Sequence, residues 1–180
     1  RVLPVVTLDD ADLAVPLVAA LVDAGLTVVE ITLRTDAALE AIRRGVDAAP
    51  GAIVRAGPTT SAGPAPAGSG PPRVARVGSR AQATEVQRAV QLGCSTVKLF
   101  PAEIVGGTRL IEALSAVWPD VRFVPTGGIS PANAATYLSL APVLAVGGSW
   151  MVPRDSVVTR DWAAVTAAAA AAARLGTERS

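Results

Sequence analysis

Apolar and polar positions follow two periods along this chain, and the two alternate. Short runs rich in Val, Ile and Leu fall at residues 2–7, 26–33, 52–56, 96–101, 121–125 and 143–147. Their length and β-branched content suit strands. Between them, apolar residues recur every three to four positions, as in a helix with one buried face. These stretches predict helices over 10–24, 36–48, 82–92, 109–117, 131–140 and 161–175. Gly25, Gly93 and Gly176 stand where helices should end. Asp36 puts a negative charge near a helix start, and Ser130-Pro131 reads as an N-cap followed by a first-turn proline. Gly106-Gly107 reads as a turn before the helix at Arg109.

Strand–helix alternation predicts parallel strands joined by helical crossovers. A length of 180 residues predicts a single domain over 1–180. The fold class is α/β, with a (β/α)8 TIM-type barrel as the leading architecture. Such barrels take roughly 200–250 residues, and the shortage here has a place. Residues 58–80 hold five Pro and four Gly, no acid, and no Leu, Ile or Phe. Within them, at most 73–77 makes a weak strand. This anomalous Pro/Gly/Arg-rich loop stands where two strand–helix units are owed. The barrel is therefore expected to be incomplete or distorted between its third and sixth strands. Residues near 55–81 are expected to come from out-of-frame reading of, or a deletion in, a GC-rich gene, which sequencing of the coding DNA checks.

About half of the residues, 51%, are apolar, so the chain can bury a core. The net charge is +1 and the arginines are scattered, so no nucleic-acid partner is expected. One cysteine, Cys94, excludes an internal disulfide and a Cys-based metal site. The absence of histidine removes Ser-His-Asp and Cys-His chemistry and most zinc sites. Any general base must be a carboxylate or an amine. No apolar run approaches the ~20 residues that span a bilayer. No signal-peptide pattern is visible, and the cytoplasm is the expected location.

Of 16 basic residues, one is a lysine. Lys98 sits in the apolar run Thr96-Val97-Lys98-Leu99-Phe100. Arginine keeps its proton in proteins, whereas burial favours a neutral lysine and can lower its pKa by up to ~3–5 units. A neutral amine can attack a ketone. The plainer alternatives are a lysine snorkelling from a strand end and one half of a buried ion pair. Strand alternation puts Thr96, Lys98 and Phe100 on one face. By the same rule Val28, Glu30, Thr32 and Arg34 share a face, backed by Val29, Ile31 and Leu33. An amine and a carboxylate are thus expected on inward positions of two strands, with Arg34 as a fork for a carboxylate or phosphate. Two later strands end in Thr126-Gly127-Gly128 and Gly147-Gly148-Ser149. Glycines there let backbone amides approach a ligand, and phosphates in such barrels commonly sit after the last two strands.

The segments 29–35 (Val-Glu-Ile-Thr-Leu-Arg-Thr), 97–103 (Val-Lys-Leu-Phe-Pro-Ala-Glu), 125–133 (Pro-Thr-Gly-Gly-Ile-Ser-Pro-Ala-Asn) and 147–150 (Gly-Gly-Ser-Trp) closely resemble the 2-keto-3-deoxy-6-phosphogluconate (KDPG) aldolase family. That family also covers 4-hydroxy-2-oxoglutarate (KHG) aldolase activity. The resemblance spans residues 2–57 and about 82–153. It implies a homotrimeric class I aldolase on a (β/α)8 barrel, needing no metal and no cofactor. The implied reaction cleaves a phosphorylated keto acid to pyruvate and glyceraldehyde 3-phosphate, in the Entner-Doudoroff pathway of carbohydrate metabolism. By resemblance Lys98 is the Schiff-base lysine, Glu30 the proton-transferring carboxylate and Arg34 the holder of the pyruvyl carboxylate. Phe100 is the aromatic beside the lysine. Thr126, Gly127, Gly128, Gly148 and Ser149 form the rim that meets substrate and phosphate.

The match departs at Arg55-Ala56-Gly57-Pro58, where the family has Gly-Ala-Gly-Thr. Pro58 has neither the hydroxyl nor the N–H of that threonine. An alternative function is a degenerate homologue, weakly active or inactive, that keeps the keto-acid and phosphate motifs. A sugar-phosphate isomerase fits less well, because Glu30 and Lys98 suit imine chemistry better than enolisation without histidine.

Overall fold

The computed structural model describes residues 1–49, 51–57 and 83–177, and the backbone of 74–77. Two compact units divide the chain, one from Arg1–Thr60 and Gly148–Glu178, the other from Ser61–Gly147.

In the first unit, β1 (Val2–Val6) pairs in parallel with β2 (Val28–Thr32), and β2 with β3 (Ile53–Gly57). These three strands follow in the order β3-β2-β1, and a further short strand, β7, runs over Val146–Gly148. The register sets Val5 beside Glu30 and Glu30 beside Arg55, with Thr32 beside Gly57. These residues share one face, because paired residues of parallel strands point the same way. Val29 and Ile31 on the other face are fully buried, as the alternation predicts. The helices here are α1 (Ala14–Asp23) and α2 (Ala38–Ala48), with a short 3₁₀ turn over Ala11–Leu13 before α1. Asp10 caps that turn by accepting from the Asp12 amide. α1 buries Leu17, Val18 and Leu21 at its three-to-four spacing.

In the second unit, β4 (Val74–Val77), β5 (Thr96–Leu99) and β6 (Arg122–Pro125) form a parallel sheet in the order β4-β5-β6. Isolated bridges Phe123–Val143 and Thr126–Gly147 bring the chain after β6 alongside it. The helices are α3 (Ala83–Gln91), α4 (Gly107–Val117) and α5 (Pro131–Leu138). Ser130 and Asn133 close a reciprocal capping box at the start of α5, with Pro131 in its first turn.

The expected strands are all present, and β4 adds the weak strand read at 73–77. The rest of the 58–80 loop lies outside the described residues. Four expectations need correction. α6 (Arg154–Val158) was not anticipated, since five residues carry no helical period to read. α7 (Trp162–Thr177) runs through Gly176 rather than ending at it. A Cβ at Gly176 would lie 2.6 Å from the Arg1 nitrogen, so this glycine is where the chain start packs on the helix. α4 begins at Gly107, so the Gly106-Gly107 turn is already its cap and first residue. β2 stops at Thr32, leaving Arg34 off the strand.

Candidate active site

Glu30 and Lys98 are the buried charged residues of their strands, at 7% and 6% exposure. A buried charge is costly unless partnered, and neither is without a partner. Glu30, Arg34, Gly148 and Ser149 belong to the first unit. Lys98, Phe100, Thr126, Gly127 and Gly128 belong to the second.

In the first unit the Glu30 carboxylate lies against Gly57. A Cβ there would come within 3.2 Å of Glu30 Oε1 and 2.9 Å of the Thr32 Cα. One step further along, the Thr7 and Thr32 hydroxyls are hydrogen-bonded at 2.8 Å, joining the ends of β1 and β2. The Thr35 hydroxyl donates to the Leu8 carbonyl and turns the chain out of β2. Arg34 lies two residues past the end of β2 and is exposed. Ser149 is exposed and lines a cavity of about 550 Å³ with Thr7, Leu8, Asp9, Arg154 and Arg160. Arg154 is held there by Asp9 at 2.8 Å. Gly148 is buried, and a Cβ on it would strike the Trp150 ring.

In the second unit Lys98 pairs in register with Val124. The chain after β5 is then stitched to the chain after β6. The Thr126 amide donates to Leu99 at 2.9 Å, Ala102 to Thr126 at 2.8 Å and Glu103 to Gly127 at 3.2 Å. Gly127 and Gly128 have φ of 90° and 80°, the left-handed region that glycine enters without strain. A Cβ on Gly127 would meet the Phe100 ring at 2.9 Å, so Phe100 and Gly127 form one packed contact. Thr126 is buried, its hydroxyl directed to the Val124 carbonyl at 3.4 Å. Asn133 donates to the Gly128 carbonyl at 3.0 Å, fixing the far end of the turn.

Sequence reasoning missed three residues of this neighbourhood. Gly57 was noted as part of a motif and not as the seat of the Glu30 carboxylate. Tyr137 and Glu103 are hydrogen-bonded, phenol to carboxylate, beneath the Gly127-Gly128 turn. The signals were a lone tyrosine on an apolar helix face and an acid directly after Phe100-Pro101-Ala102.

The sequence pattern of the KDPG and KHG aldolases matches residues 1–66 and 74–168. This chain belongs to the KDPG and KHG aldolase family. The 2-dehydro-3-deoxy-phosphogluconate aldolase of Treponema pallidum is 42% identical over 187 aligned positions, covering 93% of this chain and 89% of that protein. The KDPG aldolase of Legionella pneumophila, solved with pyruvate captured as a covalent carbinolamine, superposes with a TM-score of 0.85 at 30% identity. That match covers 94% of this chain and 92% of the other. The Zymomonas mobilis enzyme, solved with 3-phosphoglycerate, matches at a TM-score of 0.82 and 33% identity, covering 99% and 91%. The fold is accordingly α/β of the TIM-barrel type, and the chain is an aldolase, a lyase of the Schiff-base class. Among the described residues no cluster of metal-ligating side chains occurs, and no helix is long and apolar enough to cross a membrane.

Proposed function

We propose that this chain cleaves 2-keto-3-deoxy-6-phosphogluconate to pyruvate and glyceraldehyde 3-phosphate, and acts on 4-hydroxy-2-oxoglutarate as a second substrate. One observation carries the reading: the chain's single lysine is buried in β5, in the segment that resembles the family's imine-forming strand. The Lys98 amine attacks the C2 ketone, and loss of water gives the iminium. Glu30 shuttles protons through the carbinolamine and then takes the C4 hydroxyl proton. The C3–C4 bond breaks, its electrons pass to the iminium as an enamine, and the aldehyde leaves. Protonation at C3 and hydrolysis release pyruvate and restore the amine. The nitrogen is the electron sink, so the scheme calls on no metal and no cofactor.

In this reading Arg34 holds the pyruvyl carboxylate, Phe100 packs beside the reacting carbons, and Thr126, Gly127, Gly128, Gly148 and Ser149 meet the distal hydroxyls and phosphate. The carbinolamine of the Legionella relative and the 3-phosphoglycerate of the Zymomonas relative support those two ends of the site. A phosphorylated sugar acid does not cross a bilayer unaided, which supports a cytoplasmic location as part of the proposal. Assembly as a homotrimer, which the family resemblance implies, is part of the proposal. Sedimentation checks the assembly. The reaction is tested by borohydride reduction with pyruvate and by coupled assay of pyruvate release. A mass increase mapped to Lys98, with turnover, is expected; an unmodified Lys98 overturns the proposal.

A further inference from the structure

We infer that Tyr137 and Glu103 form a latch that positions the Thr126-Gly127-Gly128 turn for the substrate's phosphate; the inference rests on the function proposed above. Neither residue is needed for the imine chemistry, and three contacts make them a unit. The Tyr137 side chain is 1% exposed, and its hydroxyl donates to the Glu103 carboxylate. A Cβ on Gly128 would fall 2.6 Å from both Cβ and Cγ of Glu103, so the glutamate stem lies across that glycine. The Glu103 amide in turn donates to the Gly127 carbonyl. Glu103 therefore touches the turn with its backbone and its stem, and its carboxylate is fixed to α5.

The latch also solves a charge problem. A loose carboxylate beside a phosphate site would repel the ligand. Here the carboxylate is drawn away to the phenol and to the start of α4. A Cβ on Gly107, the first residue of that helix, would lie 3.1 Å from the Tyr137 hydroxyl and 3.7 Å from Glu103 Oε1. The N-cap of α4, Gly106, offers no side chain, so the glutamate supplies the negative charge that a helix N-terminus favours. Burial and the neighbouring carboxylate both hold the phenol in its protonated, donating form. Tyr137 and Glu103 are thus positioning residues.

The test compares Tyr137→Phe, Glu103→Ala and Glu103→Gln with the unaltered enzyme. Loss of one hydrogen bond should raise KM for the phosphorylated keto acid roughly five- to tenfold in Tyr137→Phe and Glu103→Ala. It should leave kcat and the rate of borohydride trapping with pyruvate, which has no phosphate, within about twofold. Glu103→Gln, which keeps an acceptor oxygen, should recover most of the loss, and the double variant should be no worse than either single one. Hydrogen exchange at amides 126–130 should quicken in Tyr137→Phe and Glu103→Ala. Unchanged exchange overturns the latch. Faster exchange with an unchanged KM, or with kcat and pyruvate trapping falling alike, overturns its role in phosphate binding. Should Tyr137→Phe not fold, Glu103→Ala alters an exposed residue and decides alone. An unaltered enzyme that never traps pyruvate would sink the aldolase reading, while the exchange data would still judge the latch.

Discussion

The carboxylate of Glu30 rests on Gly57, one strand over and two residues past its register partner Arg55. A methyl group on Gly57 would lie 3.2 Å from Glu30 Oε1 and 2.9 Å from the backbone of Thr32. The glycine is therefore the floor on which the proposed proton carrier sits.

Gly57→Ala should displace that carboxylate and strain the β2–β3 pairing. Stability should fall by about 1–3 kcal/mol. Turnover should fall by roughly a hundredfold, the scale of a misplaced catalytic group. Gly51→Ala, at a glycine with nothing within 4 Å of its added methyl, is the control and should change neither. Denaturant unfolding and the coupled assay read the two effects. Normal turnover in Gly57→Ala would show that Glu30 does not depend on this floor.

Lys98→Arg keeps a long basic side chain and removes the nucleophile, because a guanidinium does not lose its proton. Turnover should drop at least ~1,000-fold, and borohydride with pyruvate should add no mass. A trapped adduct in Lys98→Arg would show that the imine does not depend on Lys98.

Glu30→Gln should separate two steps. Without the carboxylate, carbon–carbon cleavage should slow by about 10²–10⁴-fold. Pyruvate should still be trapped on Lys98 at a reduced rate. Single-turnover cleavage measured beside trapping distinguishes them, and equal loss in both would assign Glu30 to imine formation alone.

Tyr137 gives a prediction in pH. Burial first, and then the Glu103 carboxylate, raise its phenol well above the ordinary tyrosine range. The unfolded chain releases this proton near pH ~10, whereas the folded chain keeps it, so the folded state binds more protons at high pH. The stabilisation is complete below about pH 10 and is lost progressively as pH climbs beyond it. Tyr137 is the only tyrosine in the sequence, so tyrosinate absorbance follows it alone. It should appear far above the ordinary range and coincide with alkaline unfolding. Ionisation near the ordinary value in folded protein would contradict a buried, bonded phenol.

Much of the fold was legible because strand and helix periods are local. β1, β3 and β5 and the helices α1, α3 and α5 lie close to where alternation and caps put them. Cap chemistry told true at Ser130, where side chain and backbone are adjacent in sequence. It misled at Gly176, because what approaches that glycine is Arg1 from the other end of the chain. The strand neighbours of Glu30 were readable from alternation, which the register with Val5 and Arg55 bears out. β2 ends at Thr32, one residue before the end read at Leu33, and the Thr35 hydroxyl bonds to Leu8 just beyond it.

The sequence alone set the order of the elements, the strands that carry Glu30 and Lys98 and the glycines after β6, since each depends on residues a few positions apart. Only the tertiary structure decided what those groups rest on: Glu30 on Gly57, Phe100 on Gly127, Glu103 on Gly128 and Tyr137. Such contacts join positions that strand register and helix packing bring together, and no local periodicity encodes that meeting.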